Sequence, residues 1–247
     1  GDEGPRWPSD FGHTHVMKDQ LIAFERHIAD IFETGVLPFL IHLSGGNEDR
    51  LIEIFKDVQP GDWVFSSHRN HYHYLLTAVR NGVPFPEAAT KLEAMIRNGK
   101  SMFVYDASIN FCCSAVLAGT CGIAAGMALR LRDAQEPGPR KPRVWSFIGD
   151  GGEDEGHFYE AAMFVEGHGL PCTFVIEDND RSVDTTISQR RGKKLDCWEK
   201  FSCVWRYEYE ATWPHGGTGC KQWVQFDPQT VEHFKKSFPI RAAANQS

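Results

Sequence analysis

Apolar positions along this chain recur with two different periods, and each change of period marks a boundary between elements. Spacings of three and four predict helices near His15–Glu33, Glu48–Lys56, His71–Asn81, Pro86–Asn98 and Ala115–Arg132, because that spacing lines one face of a helix. Two short, mostly apolar runs, Val144–Ile148 and Cys172–Ile176, read instead as buried strands, since strands of a parallel sheet are covered on both faces. Between them Phe158, Ala161, Ala162 and Val165 return at helical spacing within Glu153–His168, and Gly167 and Gly169 supply a stop. Val204–Thr212 alternates as a half-buried strand does, with Val204, Arg206, Glu208 and Glu210 opposite Trp205, Tyr207, Tyr209 and Ala211.

The strand, helix, strand order around Glu153–His168 has a geometric consequence. Such a crossover brings both strand ends to one edge of a sheet, so Asp150 and Asn179, each just past a strand, are expected to meet there. The stretch Ala134–Pro142, rich in Pro, Gly and charge, is expected to be a surface loop. Asp184–Lys194 is polar and basic and reads as a mobile solvated loop; closure over a bound ligand is the sharper alternative.

Composition narrows the class. At 247 residues and 41% hydrophobic, the chain fits one α/β domain spanning 1–247. With 26 basic against 33 acidic residues, nucleic acid is not an expected partner. No run reaches the roughly eighteen apolar residues of a membrane span, and no signal-peptide pattern is read at the start. The seven cysteines include Cys112-Cys113 but no Cys-x-x-Cys, which argues against a zinc knuckle or a thioredoxin-type site. Reduced thiols and a cytoplasmic location are the expectation.

The candidate chemistry sits where the first buried run ends, at Gly149-Asp150-Gly151-Gly152. Ligands of open α/β sheets bind at the carboxyl edge. A carboxylate, an amide oxygen and a backbone carbonyl are hard donors suited to Mg²⁺, which takes further ligands from phosphates. Gly151 and Gly152 leave backbone N–H groups open at a helix start, where an anion is favoured. Alone, Gly-Asp-Gly more often marks a plain turn; the asparagine one strand-helix-strand unit later, in Glu177-Asp178-Asn179-Asp180-Arg181, weighs toward a metal-diphosphate site.

Together these residues resemble the cofactor signature of thiamine-diphosphate enzymes. The likeness extends through His42–Glu48, Pro60-Gly61-Asp62, Ser67–His71, Gly99–Met102, Asn110-Phe111 and Ser114–Ala118, in the order found in the alpha subunit of the 2-oxo acid dehydrogenase decarboxylase component. The resemblance covers over half the chain, from His42 to Arg181. It implies a mostly parallel sheet flanked by helices on both faces. Asp150 and Asn179 would hold Mg²⁺, with the carbonyl of Arg181 as third protein ligand. Arg69 would pair with the diphosphate, whose oxygens suit a planar guanidinium. Gly149, Gly151 and Gly152 would shape the cofactor turn, and Ala115 and Leu117 would meet the aminopyrimidine side. His68 stands where many relatives have Tyr, and reads equally well as a surface histidine.

Two histidines fall on catalytic positions by the same resemblance. His71 matches one at the active-site entrance, although His68, His71 and His73 also read as a solvated cluster. His215 aligns with a His-Gly-His loop, with Gly217 replacing the second histidine. Asp178 replaces the first asparagine of the family's usual pair. Glu153, Asp154 and Glu155 stand at a helix start, where carboxylates are favoured, and most of them are expected to turn away from a diphosphate.

In this family a glutamate from a pyrimidine-binding domain activates the cofactor. A chain of 247 residues has room for the diphosphate-binding module only, so a beta-type subunit or another pyrimidine-domain chain is the implied partner, in a hetero- or homo-oligomer. The substrate class implied is a 2-oxo acid. A transketolase-like module acting on a ketose is the alternative, suggested by Glu160-Ala161-Ala162-Met163. A non-catalytic assembly subunit is the reading from another class.

Overall fold

The computed structural model describes residues 14–37, 39–134, 140–182, 185–193 and 200–213. Its strands are β1 (Trp63–Ser66), β2 (Tyr105–Asp106), β3 (Phe111–Cys113), β4 (Val144–Gly149), β5 (Cys172–Asp178) and β6 (Val204–Glu208). They form one sheet in the order β2-β3-β1-β4-β5-β6. Every pairing is parallel except that of β2 with β3. The helices are α1 (Thr14–Glu33), α2 (Glu48–Ile54), α3 (His71–Arg80), α4 (Phe85–Arg97), α5 (Cys121–Asp133), α6 (Asp150–Glu153), α7 (Gly156–His168) and α8 (Ile187–Arg191).

Neighbouring residues of the inner strands feed opposite cores. Val64, Phe147 and Val175 pack with Leu21, Phe24, Leu75 and Leu92 of α1, α3 and α4. Phe65, Ile148 and Ile176 pack with Ala124, Ala128, Phe158 and Ala162 of α5 and α7. All seven residues of β5 are buried, which explains why its first five positions are mostly apolar rather than alternating. Small residues on α5 and α7 let those helices lie close together against the sheet.

The amino edge of the sheet is tied by one aspartate. Asp62, just before β1, accepts from both terminal nitrogens of Arg140 at 2.8 Å, the backbone N–H of Arg143 at 2.9 Å, and Trp145 Nε1 at 3.1 Å. It thereby joins the starts of β1 and β4. At the opposite edge, β1 leads toward β3 on one side and β4 leads toward β5 on the other. The gap above β1 and β4 is thus the switch point at which an open parallel sheet leaves a crevice.

Local differences from the sequence reading have physical causes. The helix expected from Ala115 begins at Cys121. Before it, the Ser114 hydroxyl accepts the Val116 N–H, and Ala118 takes a left-handed φ of 50°, so the segment turns instead of coiling. The helix expected from Glu153 is two helices, broken at extended Glu155, with a first turn that starts at Asp150. Part of the predicted basic loop is α8, started by a reciprocal cap between Thr186 and Gln189. The strand from Val204 is regular only to Glu208, although Tyr209 N–H still reaches the Asp178 carbonyl at 2.9 Å. No described helix is long and apolar enough to cross a membrane.

Candidate functional site

β4 and β5 run in register to their ends, with Gly149 opposite Glu177. The residues that follow, Asp150 and Asn179, therefore emerge side by side at the carboxyl edge. Both line a cavity of ≈ 230 Å³, far above the ~30 Å³ share of one water. Gly149, Gly151 and Arg181 line it from the same two turns. His68 and Arg69 enter from the end of β1, and Ala115 and Leu117 from the turn after β3. Of the residues proposed from sequence to bind a cofactor, Gly152 alone does not line the cavity; it packs beneath, where a Cβ would come within 3.4 Å of the Ala118 nitrogen.

Burial dominates the electrostatics of Asp150. It pushes the carboxyl up to about 6, against the opposing pull of Arg190, whose Nη2 donates to Asp150 Oδ2 at 2.8 Å. Asn179 is held from both ends: its Nδ2 donates to the Tyr209 hydroxyl at 3.2 Å, and its Oδ1 accepts the Arg181 N–H at 3.0 Å. A backbone N–H only donates, so the oxygen side of the amide is fixed, and an amide oxygen has a second lone pair for a further partner. Asp178, which stands in place of an asparagine, is turned away into contact with Arg206 of β6 at 2.6 Å and the N–H of Asp180 at 2.8 Å.

Arg69 donates through Nη1 to the Leu43 carbonyl. Its other guanidinium donors have no hydrogen-bond partner among the described residues and lie at the cavity. The turn at Gly151 is tight, since a Cβ there would lie 2.3 Å from Ser182 Oγ. None of Glu153, Asp154 and Glu155 lines the cavity. Glu153 is instead fully buried and meets Arg191 at 3.0 Å together with Arg206, while Asp154 meets Arg190 and Arg191.

The expected place of His71 is corrected. It is fully buried in α3, with Nε2 3.0 Å from Ser101 Oγ and Nδ1 3.5 Å from Glu25. Glu25 also accepts the Ser44 N–H at 2.7 Å, so His71 braces the loop beneath the cavity and does not guard its entrance. His73 is also buried, between Ser66 Oγ at 2.7 Å and Glu177 at 3.1 Å, so the solvated histidine cluster is not formed. His215 lies outside the described residues.

Sequence reasoning left out His42, Ser67, Met102, Glu177, Ser182 and Tyr209, which also line the cavity. His42, Ser67, Met102 and Glu177 stood inside recognised segments, so position relative to strand ends was the available signal. Nothing local singles out Tyr209. Among the described residues, no group of three or more His, Cys, Asp or Glu side chains can hold a metal ion. A cation here would take Asp150, Asn179 and a carbonyl, and would complete its shell with ligand oxygens.

Comparison with known proteins gives the family and the fold. The family described as Dehydrogenase E1 component matches residues 20–196. The alpha subunit of acetoin:2,6-dichlorophenolindophenol oxidoreductase from Bacillus subtilis is 27% identical over 65% of this chain and 47% of its own length. The pyruvate dehydrogenase E1 component subunit alpha of Rickettsia felis is 26% identical over 70% of this chain and 53% of its own. That of Porphyra purpurea is 29% identical, over 68% and 51%. The chain thus spans about half the length of these curated relatives. A transketolase crystal structure from Campylobacter jejuni shares the fold, with a TM-score of 0.52 at 16% identity over 76% of this chain and 32% of that one. From the matched span, which contains the whole strand-turn-strand unit around Asp150, the chain belongs to the dehydrogenase E1 component family.

Proposed function

We propose that this chain is the alpha-type, thiamine-diphosphate- and Mg²⁺-binding subunit of a decarboxylating 2-oxo acid dehydrogenase, active only with a partner that supplies a pyrimidine-binding domain. The observation that carries this reading is the convergence of Asp150 and Asn179, from the tips of adjacent parallel strands, on one cavity with Arg69 and the glycine turn. The donor set fits the group: two hard oxygen side chains, too few carboxylates for a self-sufficient metal site, and an arginine with uncommitted donors.

On this reading Asp150, Asn179 and the carbonyl of Arg181 hold Mg²⁺. Arg69, His68 and the N–H groups of Gly151 and Gly152 hold the diphosphate. Because α6 is a single turn, Asp150–Glu153, its contribution is individual N–H donors, not a long helix dipole. Ala115 and Leu117 offer backbone groups and an apolar surface at the mouth, with the Leu117 carbonyl steadied by His157 Nε2 at 2.8 Å. Thiamine diphosphate, when bound, supplies a nucleophilic carbon and an electron sink for decarboxylation.

The need for a partner follows from the carboxylates. Asp150 and Glu177 are the two that line the cavity among the described residues. Asp150 is assigned to the ion, and Glu177 already accepts from Asn47, His73 and Tyr207. Neither is available as an acid toward the cofactor's pyrimidine, which supports a partner domain as the source of that group. His215 would act at the substrate, while His71 acts through the packing of the Ser44 loop.

Calorimetric titration of Mg²⁺ with thiamine diphosphate, with and without the partner, tests the proposal. Asp150→Ala should abolish Mg²⁺-dependent binding, and unchanged affinity would refute the metal assignment. Turnover of a 2-oxo acid by this chain alone would refute the partner requirement.

A further inference from the structure

Asp150 has a rival for its carboxylate. Arg190, on α8, uses all three guanidinium nitrogens: Nη2 to Asp150 Oδ2 at 2.8 Å, Nε to Asp154 at 2.7 Å, and Nη1 to the Thr185 carbonyl at 2.7 Å. The Asp150 side chain is 2% exposed and that of Arg190 16%. We propose that Arg190 is a removable latch on Asp150, competing with the cation for that carboxylate, so that α8 must let go for the site to load. The inference rests on the reading of Asp150 as the ion's ligand.

Three features of the chain support a latch over a fixed strut. First, an arginine stays charged at any physiological pH, so it cannot yield to a divalent cation by losing a proton. It competes instead by position, since a second positive group on one buried carboxylate is repelled by the first. Second, α8 is built to move as a unit. Its cap is internal, with Thr186 accepting from Gln189 N–H and Gln189 accepting from Thr186 N–H. Of its five residues, Ile187 alone is buried. The rest of its attachment is polar: Arg190, Arg191, and the Ile187 N–H donating to Asp180 Oδ1 at 3.0 Å. Segments with few buried apolar contacts open more readily than the core.

Third, departure of α8 leaves one unmet buried charge. Glu153 loses Arg191 but keeps Arg206 of β6. Asp178 keeps Arg206 as well, and Asp154 is exposed to water. Asp150 alone is stranded, and a divalent cation is what would replace its arginine. The latch therefore shields the acidic turn, and the incoming ion takes over that role.

The test is a titration of the full chain with Mn²⁺ as a paramagnetic probe, in the presence of thiamine diphosphate. Arg190→Gln should tighten Mn²⁺ binding by about tenfold or more, as removal of a competing charge requires. Thr186→Ala, which touches no carboxylate, should tighten it by about threefold through loss of the helix cap. If Arg190→Gln does not fold, the Thr186→Ala result decides. Affinity unchanged or weakened in these variants, with Asp150→Ala still abolishing binding, overturns the latch and leaves the cofactor reading standing. Unchanged binding by Asp150→Ala brings down both.

Discussion

Asp62 and Asp150 are both buried aspartates at the ends of central strands, and both meet an arginine, yet they differ in how many donors reach them. Asp62, at the amino edge, is satisfied by Arg140, Arg143, Trp145 and the Gln59 N–H at 3.1 Å. Asp150, at the carboxyl edge, borders a cavity and relies on Arg190, and burial leaves its carboxyl raised to about 6. The same side chain is a structural tie where its lone pairs are filled and a ligand where they are left short. Donor count, rather than burial, separates the two edges.

The sharpest way to break that contrast is to remove each carboxylate in turn. Asp62→Ala should cost about 3–5 kcal/mol in urea unfolding, because buried donors of Arg143 and Trp145 lose their acceptor. Asp150→Ala should change stability by less than about 1 kcal/mol, since the desolvation of the carboxylate disappears along with its ion pair. Equal costs at the two sites would end the distinction.

A smaller effect is expected from the turn itself. Gly151→Ala places a Cβ 2.3 Å from Ser182 Oγ and 2.7 Å from its Cβ, and should destabilise by about 1–3 kcal/mol through overpacking. Adding Ser182→Gly should restore most of the loss in the same unfolding assay. Failure of that rescue would place the strain elsewhere.

The smallest effect concerns a third aspartate, at the antiparallel margin of the sheet. Burial pushes the Asp106 carboxyl up, but Lys91 with the hydroxyls of Ser108 and Tyr74 outweighs it and holds the group below the usual carboxylate value. A depressed folded value gives stability that is present above the unfolded value of about 3.9 and is lost as pH falls through the folded one. Lys91 is 50% exposed, so solvent screening limits the contribution to below about 1 kcal/mol. Asp106→Asn should therefore flatten the acid limb of a stability-against-pH curve below about pH 4, with little change in its neutral plateau. An unaltered acid limb would remove Asp106 from the comparison.

What was legible in the sequence follows the range of the forces involved. β4 and β5 could be read because both their faces are covered, and α1 and α4 because one face of each is. β1 and β3, four and three residues long, are too short to display a period. Asp150 and Asn179 were legible because each lies just past a readable strand. The burial of His71 was not, because the group that draws it inward, Glu25, comes from α1. The contact of Arg190 with Asp150 spans 40 residues, and a basic run gives no local sign of which carboxylates it will meet.

The switch point has a consequence for how the molecule assembles. Asp150 and Asn179 come from one contiguous crossover, β4-α7-β5, whereas Arg69 arrives from β1 through a pairing that joins distant parts of the chain. Long-range parallel pairing is slow to nucleate compared with local helix formation. A refolding chain should accordingly regain helical signal before its ligand crevice, which would make loading competence a late reporter of completed sheet closure.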